Sequence, residues 1–91
     1  PVLLTIALFT GCAASQAFSK GEARAKVGDW DSAVPYYRTA MQADPEKAEY
    51  RIALERAMLN ASRAHFDTAR ELESKDQLEA ALAEYRRTVE F

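Results

Sequence analysis

The chain repeats itself. Two segments align without a gap at an offset of 48 positions: Phe18 falls on Phe66, Trp30 on Leu78, Ala33 on Ala81, and Tyr37-Arg38 on Tyr85-Arg86. A repeat of this length narrows the architecture to like supersecondary units stacked side by side, each too small to bury its apolar face alone. With 91 residues there is room for two such units in one small domain. The 29% charged and 48% apolar composition is that of an ordinary folded chain.

The units are predicted to be helical. Ala48 to Ala61 contains no Gly or Pro and is rich in Ala, Glu, Arg, Leu and Met, all good helix formers. From there onward, apolar or neutral residues recur at Tyr50, Leu54, Ala57, Met58, Ala61, His65, Ala69 and Leu72, mostly three and four apart, which is one helix face. Residues 46–74 are therefore expected to form one extended helix, with a break near Asn60 as the competing reading. Ile52, Leu59 and Phe66 make a second, narrower stripe. A final helix is expected over 77–90, with Leu78, Ala81, Leu82, Tyr85 and Val89 on one face. Gly28-Asp29 reads as a helix stop followed by a capping side chain, and Asp44-Pro45 as the N-cap and first turn of the third helix.

The segment AFSKGEARAKVGDWDSAVPYYRTAMQADP resembles a tetratricopeptide repeat, a helix-turn-helix unit of about 34 residues. The residues that carry the likeness are Gly21, Gly28, Trp30, Ala33, Tyr37, Ala40 and Pro45. Residues 14–47 match as a first copy and 62–91 as a second, cut short at its C-terminal end. Lys20 and Arg24 depart from the pattern, Pro35 falls early in the second helix, and Asp76 stands where the second copy should have its turn glycine. The resemblance implies an all-α fold of antiparallel helical hairpins, an α-solenoid, to which the 48–61 segment adds one extended central helix. Two hairpins are few for a solenoid, so further helices are expected after Phe91.

The first nineteen residues are a different material. They carry no charge, and all 26 acidic and basic side chains lie between Lys20 and Glu90. The run VLLTIALF is far shorter than the about 20 apolar residues that span a bilayer. It has the length of the apolar core of a secretory signal, roughly 7 to 15 residues. It leads into Phe9-Thr10-Gly11-Cys12, which resembles the lipobox of bacterial lipoproteins. That likeness implies removal of 1–11 as a signal remnant and attachment of diacylglycerol and acyl chains to Cys12. Residues 12–16 would then be a short tether, followed by the helical domain over 17–91. In that family Asp after the Cys tends to retain the product at the inner membrane; Ala13 is there instead, so an outer-membrane anchor facing the periplasm is expected.

Little in the sequence points to catalysis. There is no Gly-rich phosphate loop, Ser-His pair or multi-Cys metal site, and no cofactor other than the acyl chains on Cys12 is expected. His65 alone reads as a packing residue. Acid pairs such as Asp29 with Asp31, or Glu71 with Glu73, read as cap and solvent-face residues. A net charge of -2 argues against a nucleic-acid partner, and Trp30, Tyr36, Tyr37 and Tyr85 read as core. No small-molecule substrate is expected. What remains is a surface for other proteins. In tetratricopeptide domains the first helix of each hairpin lines a concave groove, which nominates Phe18, Glu22, Lys26, Arg63, Phe66 and Arg70 as groove residues.

The reading is thus a non-enzymatic interaction module of a lipid-anchored envelope protein. Its order of parts, a lipoprotein signal followed by this helical stretch, is similar to the leading segment of secretin-type outer-membrane channels of type II or type III secretion and pilus systems. A freestanding lipoprotein adaptor for envelope or pilus assembly is one alternative. Another is the docking arm of an enzyme whose catalytic domain lies beyond Phe91.

Overall fold

The computed structural model describes the backbone of residues 2–91 and the side chains from Gly11 onward; the signal-segment readings at Phe9 and Thr10 lie outside the described side chains. Four helices follow one another: α1 (Val2–Lys26), α2 (Trp30–Ala43), α3 (Ala48–Ser74) and α4 (Leu78–Thr88). No strand occurs among the described residues. The fold is all-α, as expected.

The repeat is visible in how the helices end. At the end of α1 the Asp29 N–H donates to the Arg24 carbonyl (2.9 Å) and the Gly28 N–H to the Ala25 carbonyl (3.0 Å). At the end of α3 the Gln77 N–H donates to Leu72 (2.9 Å) and the Asp76 N–H to Glu73 (3.0 Å). Both are Schellman caps, and each needs one residue in left-handed backbone. Gly28 (φ 78°) supplies it without strain, and Asp76 (φ 60°) supplies it as one of the few L-residues that tolerate the region. The next helix then starts from Asp29 or Gln77, whose backbones are nearly superimposable (φ -86°, ψ 72° and φ -92°, ψ 71°). Asp29 caps α2 by accepting from the Ser32 N–H at 3.3 Å, whereas the Gln77 side chain makes no cap bond.

The third start differs from the expectation. The Asp44 N–H still donates to the Ala40 carbonyl, so Asp44 closes α2 instead of opening α3. Pro45 and Glu46 form a turn, and the helix begins at Ala48, two residues later than expected. From there α3 runs 27 residues without a break at Asn60, about 40 Å at 1.5 Å per residue. Pro35 offers no N–H to the preceding turn, yet α2 continues past it to Ala43.

Two compact units divide the chain, one reaching to Ala57 and one from Met58 to Phe91. Eight of the twelve buried apolar residues among those described are alanines. Alanine loses no rotamer entropy on burial and lets helix axes approach closely, which suits short hairpins. In the first unit Ala14, Ala17, Ala40 and Tyr50 form one cluster, with Phe18, Met41 and Ala43 packed against it. Ala33, Val34, Tyr37, Leu54 and Ala57 are buried as well. Residues 12–16, expected as a tether, are a helical part of α1, and Ala14 is fully buried. In the second unit the seam uses Ala61, Ala69 and Ala81. It is tied by Ser62 Oγ donating to the Thr88 carbonyl at 3.1 Å and by His65 Nδ1 meeting Glu84 Oε2 at 2.5 Å.

Candidate functional site: a mixed-charge groove in the first unit

The site is built on a single aromatic ring. Tyr37, on α2, is 3% exposed and lies over Gly21 of α1 so closely that a Cβ there would sit 2.6 Å from its Cδ1. A side chain at this point of α1 would fit only if that ring moved. Phe18, one turn earlier on α1, tilts against Tyr37 (centroids 5.7 Å apart) and against Tyr50 of α3 (4.9 Å), so three helices share one aromatic stack. One turn further along α1, Glu22 accepts the Tyr37 hydroxyl at 2.7 Å. Burial, then the Glu22 hydrogen bond and its negative charge, push the Tyr37 pKa far above the usual tyrosine range, against a smaller opposing effect from Arg56. Tyr37 is therefore a neutral donor that fixes the Glu22 carboxylate.

Above this floor two neighbouring hollows of about 620 Å³ and about 520 Å³ share Glu22, Ala53 and Arg56. One extends past Lys26 and Trp30, the other past Phe18, Glu49 and Ile52. Together they make a groove between α1 and the first half of α3. Its apolar contacts are Phe18, Trp30 and the half-exposed Ile52. Its charges are Lys26 and Arg56 against Glu22 and Glu49, and neither cation has an ion-pair partner among the described residues. A groove with alternating charge over an apolar floor can hold an extended peptide, whose backbone and side chains offer both signs and an apolar anchor.

Of the six groove residues expected from the sequence, Phe18, Glu22 and Lys26 come together here. The other three lie in the second unit. Phe66 is partly exposed and packs edge-on to Tyr85 (5.7 Å), with the Arg70 guanidinium 6.0 Å from its ring centre. Arg63 is exposed. Sequence reasoning did not nominate Trp30, Glu49, Ile52 or Arg56 for the groove. The α3 members recur as 49, 52, 53 and 56, a helical face beside the Tyr50–Leu54–Ala57 seam, and that spacing is the signal that could have found them.

A third hollow, of about 430 Å³, lies between α1 and α2 and is basic, with Lys20 and Arg24 beside Val27 and Tyr36. The Lys20 ammonium sits 6.0 Å from the Tyr36 ring centre, and Arg24 lies 3.9 Å from Asp29. Cys12 is an exposed free thiol on α1. His65 is half-buried between Glu84 and the stacked ring of Phe91 (6.0 Å). Among the described residues no three His, Cys, Asp or Glu side chains are grouped to hold a metal ion, and no helix is long and apolar enough to cross a membrane. No family model, curated protein or solved structure matches this chain.

Proposed function

We propose that this chain is a non-enzymatic interaction module of a lipid-anchored envelope protein, and that the groove between α1 and α3 receives an extended segment of a partner protein. The observation that carries the reading is the groove itself, with unpaired Lys26 and Arg56 set beside the Tyr37-fixed Glu22 over Phe18 and Ile52. The tetratricopeptide-like reading accords with the Gly21–Tyr37 contact and with buried Ala33 and Ala40. The test is selection of peptides from a display library on the purified chain. Peptides that bind wild type should lose about tenfold or more in affinity when Lys26 and Arg56 are both changed to Glu. They should keep it when Lys20 and Arg24, in the basic hollow, are changed likewise. Equal loss in both variants would place the peptide elsewhere.

The anchor is proposed at Cys12, which is exposed and only two residues before buried Ala14. A lipid there would hold α1 at the membrane surface with almost no slack. Cys12→Ser is expected to abolish palmitate labelling and release the protein from the membrane fraction of a bacterial host, and persistent labelling refutes the lipobox. Placement at the head of a secretin-type channel is the narrower proposal and rests on the order of signal and helical units.

A further inference from the structure

Helix α4 turns an apolar stripe away from its own hairpin. Leu78, Leu82, Tyr85 and Val89 recur at four, three and four residues, the spacing of a helix-pairing seam. Ala81 is buried against α3, and Glu84 and Thr88 bond to it, so the hairpin seam occupies the neighbouring face. Tyr85 bridges the two faces, edge-on to Phe66 and donating to Glu73. The remaining three are open to solvent: Leu78 is 59% exposed, Leu82 51% and Val89 84%.

The outer edge of this stripe is marked by two charges. At 100° per residue Glu79 and Arg86 fall on the same side of it, seven residues and about 10 Å apart. Neither makes an ion pair within the described residues. A negative and a positive group two turns apart on one edge complement themselves when the same helix is laid antiparallel. The two-fold axis then places Glu79 of one copy against Arg86 of the other, and Arg86 against Glu79. A parallel arrangement gives no such match, because the opposite edge holds Ala81 and Thr88.

We propose that the α4 face is a self-association surface, and that its occupant is α4 of a second copy of this chain, antiparallel, joined by reciprocal Glu79–Arg86 pairs around Leu78, Leu82 and Val89. The surface lies in the second unit and is independent of the peptide groove. With 11 residues in the helix it spans about 16 Å, a small interface, so the association is weak and rises with concentration.

The charge pattern supplies the test. Sedimentation equilibrium on the whole chain, from about 10 µM to about 1 mM, should show reversible dimers. Glu79→Lys alone and Arg86→Glu alone each turn two attractions per dimer into repulsions. Each should weaken self-association by about tenfold or more. Mixed one to one, they should dimerise with each other, because every pair in the mixed dimer is again opposite in sign. Leu82→Glu should abolish dimers, and circular dichroism should show unchanged helix content in all variants. A wild type that stays monomeric throughout, as it would if another segment or partner covers this face, overturns the proposal. So does association indifferent to the single reversals, which belongs to another face, or a mixture no stronger than its components.

Discussion

The Tyr37 hydroxyl donates to Glu22 Oε1 at 2.7 Å, joining α2 to α1 at the floor of the groove, while the ring below that hydroxyl fills the space left by Gly21. One side chain thus does two jobs. Its ring sets how closely two helices approach, and its oxygen orients a carboxylate that lines the groove. The two jobs can be separated by substitution.

Tyr37→Phe keeps the ring and removes the bond. At pH 7 the loss should be about 0.5 to 1.5 kcal/mol of stability, because Glu22 is exposed enough to regain water. The pH dependence is more diagnostic. The folded state raises the Tyr37 pKa above its ordinary 10.0, chiefly by burial. The unfolded chain therefore ionises first, and stability present below pH 10 falls as the pH rises above it. Urea melts at pH 8 and pH 11 should show a steeper loss for wild type than for Tyr37→Phe. Parallel losses would mean that the ring ionises as readily folded as unfolded.

Gly21→Ala should destabilise the first unit by about 1 to 3 kcal/mol, as overpacking does. Alanine is the better helix former by about 1 kcal/mol, so the two effects oppose. The clash should prevail because the Tyr37 ring is buried, braced by Phe18 and held at its hydroxyl. Thermal melting decides it, and a rise in melting temperature would show the ring free to shift.

Asp29 and Gln77 have the same backbone at equivalent places in the repeat, yet only Asp29 caps its helix. Gln77→Asp should therefore stabilise α4 by about 1 kcal/mol, the usual value of an N-cap. Asp76→Gly, one residue earlier, relieves an L-residue at φ 60° and should add up to about 1 kcal/mol, lessened by the freedom glycine gains when unfolded. Chemical denaturation of each variant gives the sign, and a loss in either would mean that the present side chain bonds to something the cap geometry does not require.

Ala33 and Ala81, equivalent across the repeat, are both buried, as residues at helix crossings would be. Leucine at either should cost about 1 to 3 kcal/mol through overpacking. Hydrogen exchange should place the first loss in the α1–α2 hairpin and the second in the α3–α4 hairpin. Unchanged melting for both would remove the alanines from the crossings.

The sequence by itself determined the elements and their seams. Every residue of the face from Tyr50 to Leu72 is buried or half-buried, and the helix stops fall at Gly28 and Asp76, 48 residues apart. Periodicity and left-handed caps are local properties, set by residues within a turn or two of one another. The tertiary structure decided which apolar stripe stays outside: Ile52, Leu59 and Phe66 have the same helical spacing yet remain between 42% and 52% exposed. It also decided that Asp44 ends α2, since its N–H is taken by Ala40, and that residues 12–16 join the packed helix instead of forming a tether. Most of all it decided the pairs that make the site and the hairpins, Glu22 with Tyr37 and His65 with Glu84, which lie 15 and 19 residues apart. Such pairs depend on the rotation and depth at which one helix settles on another. That is fixed by the fit of side chains such as Gly21 and Tyr37 across the seam, which no single helix contains.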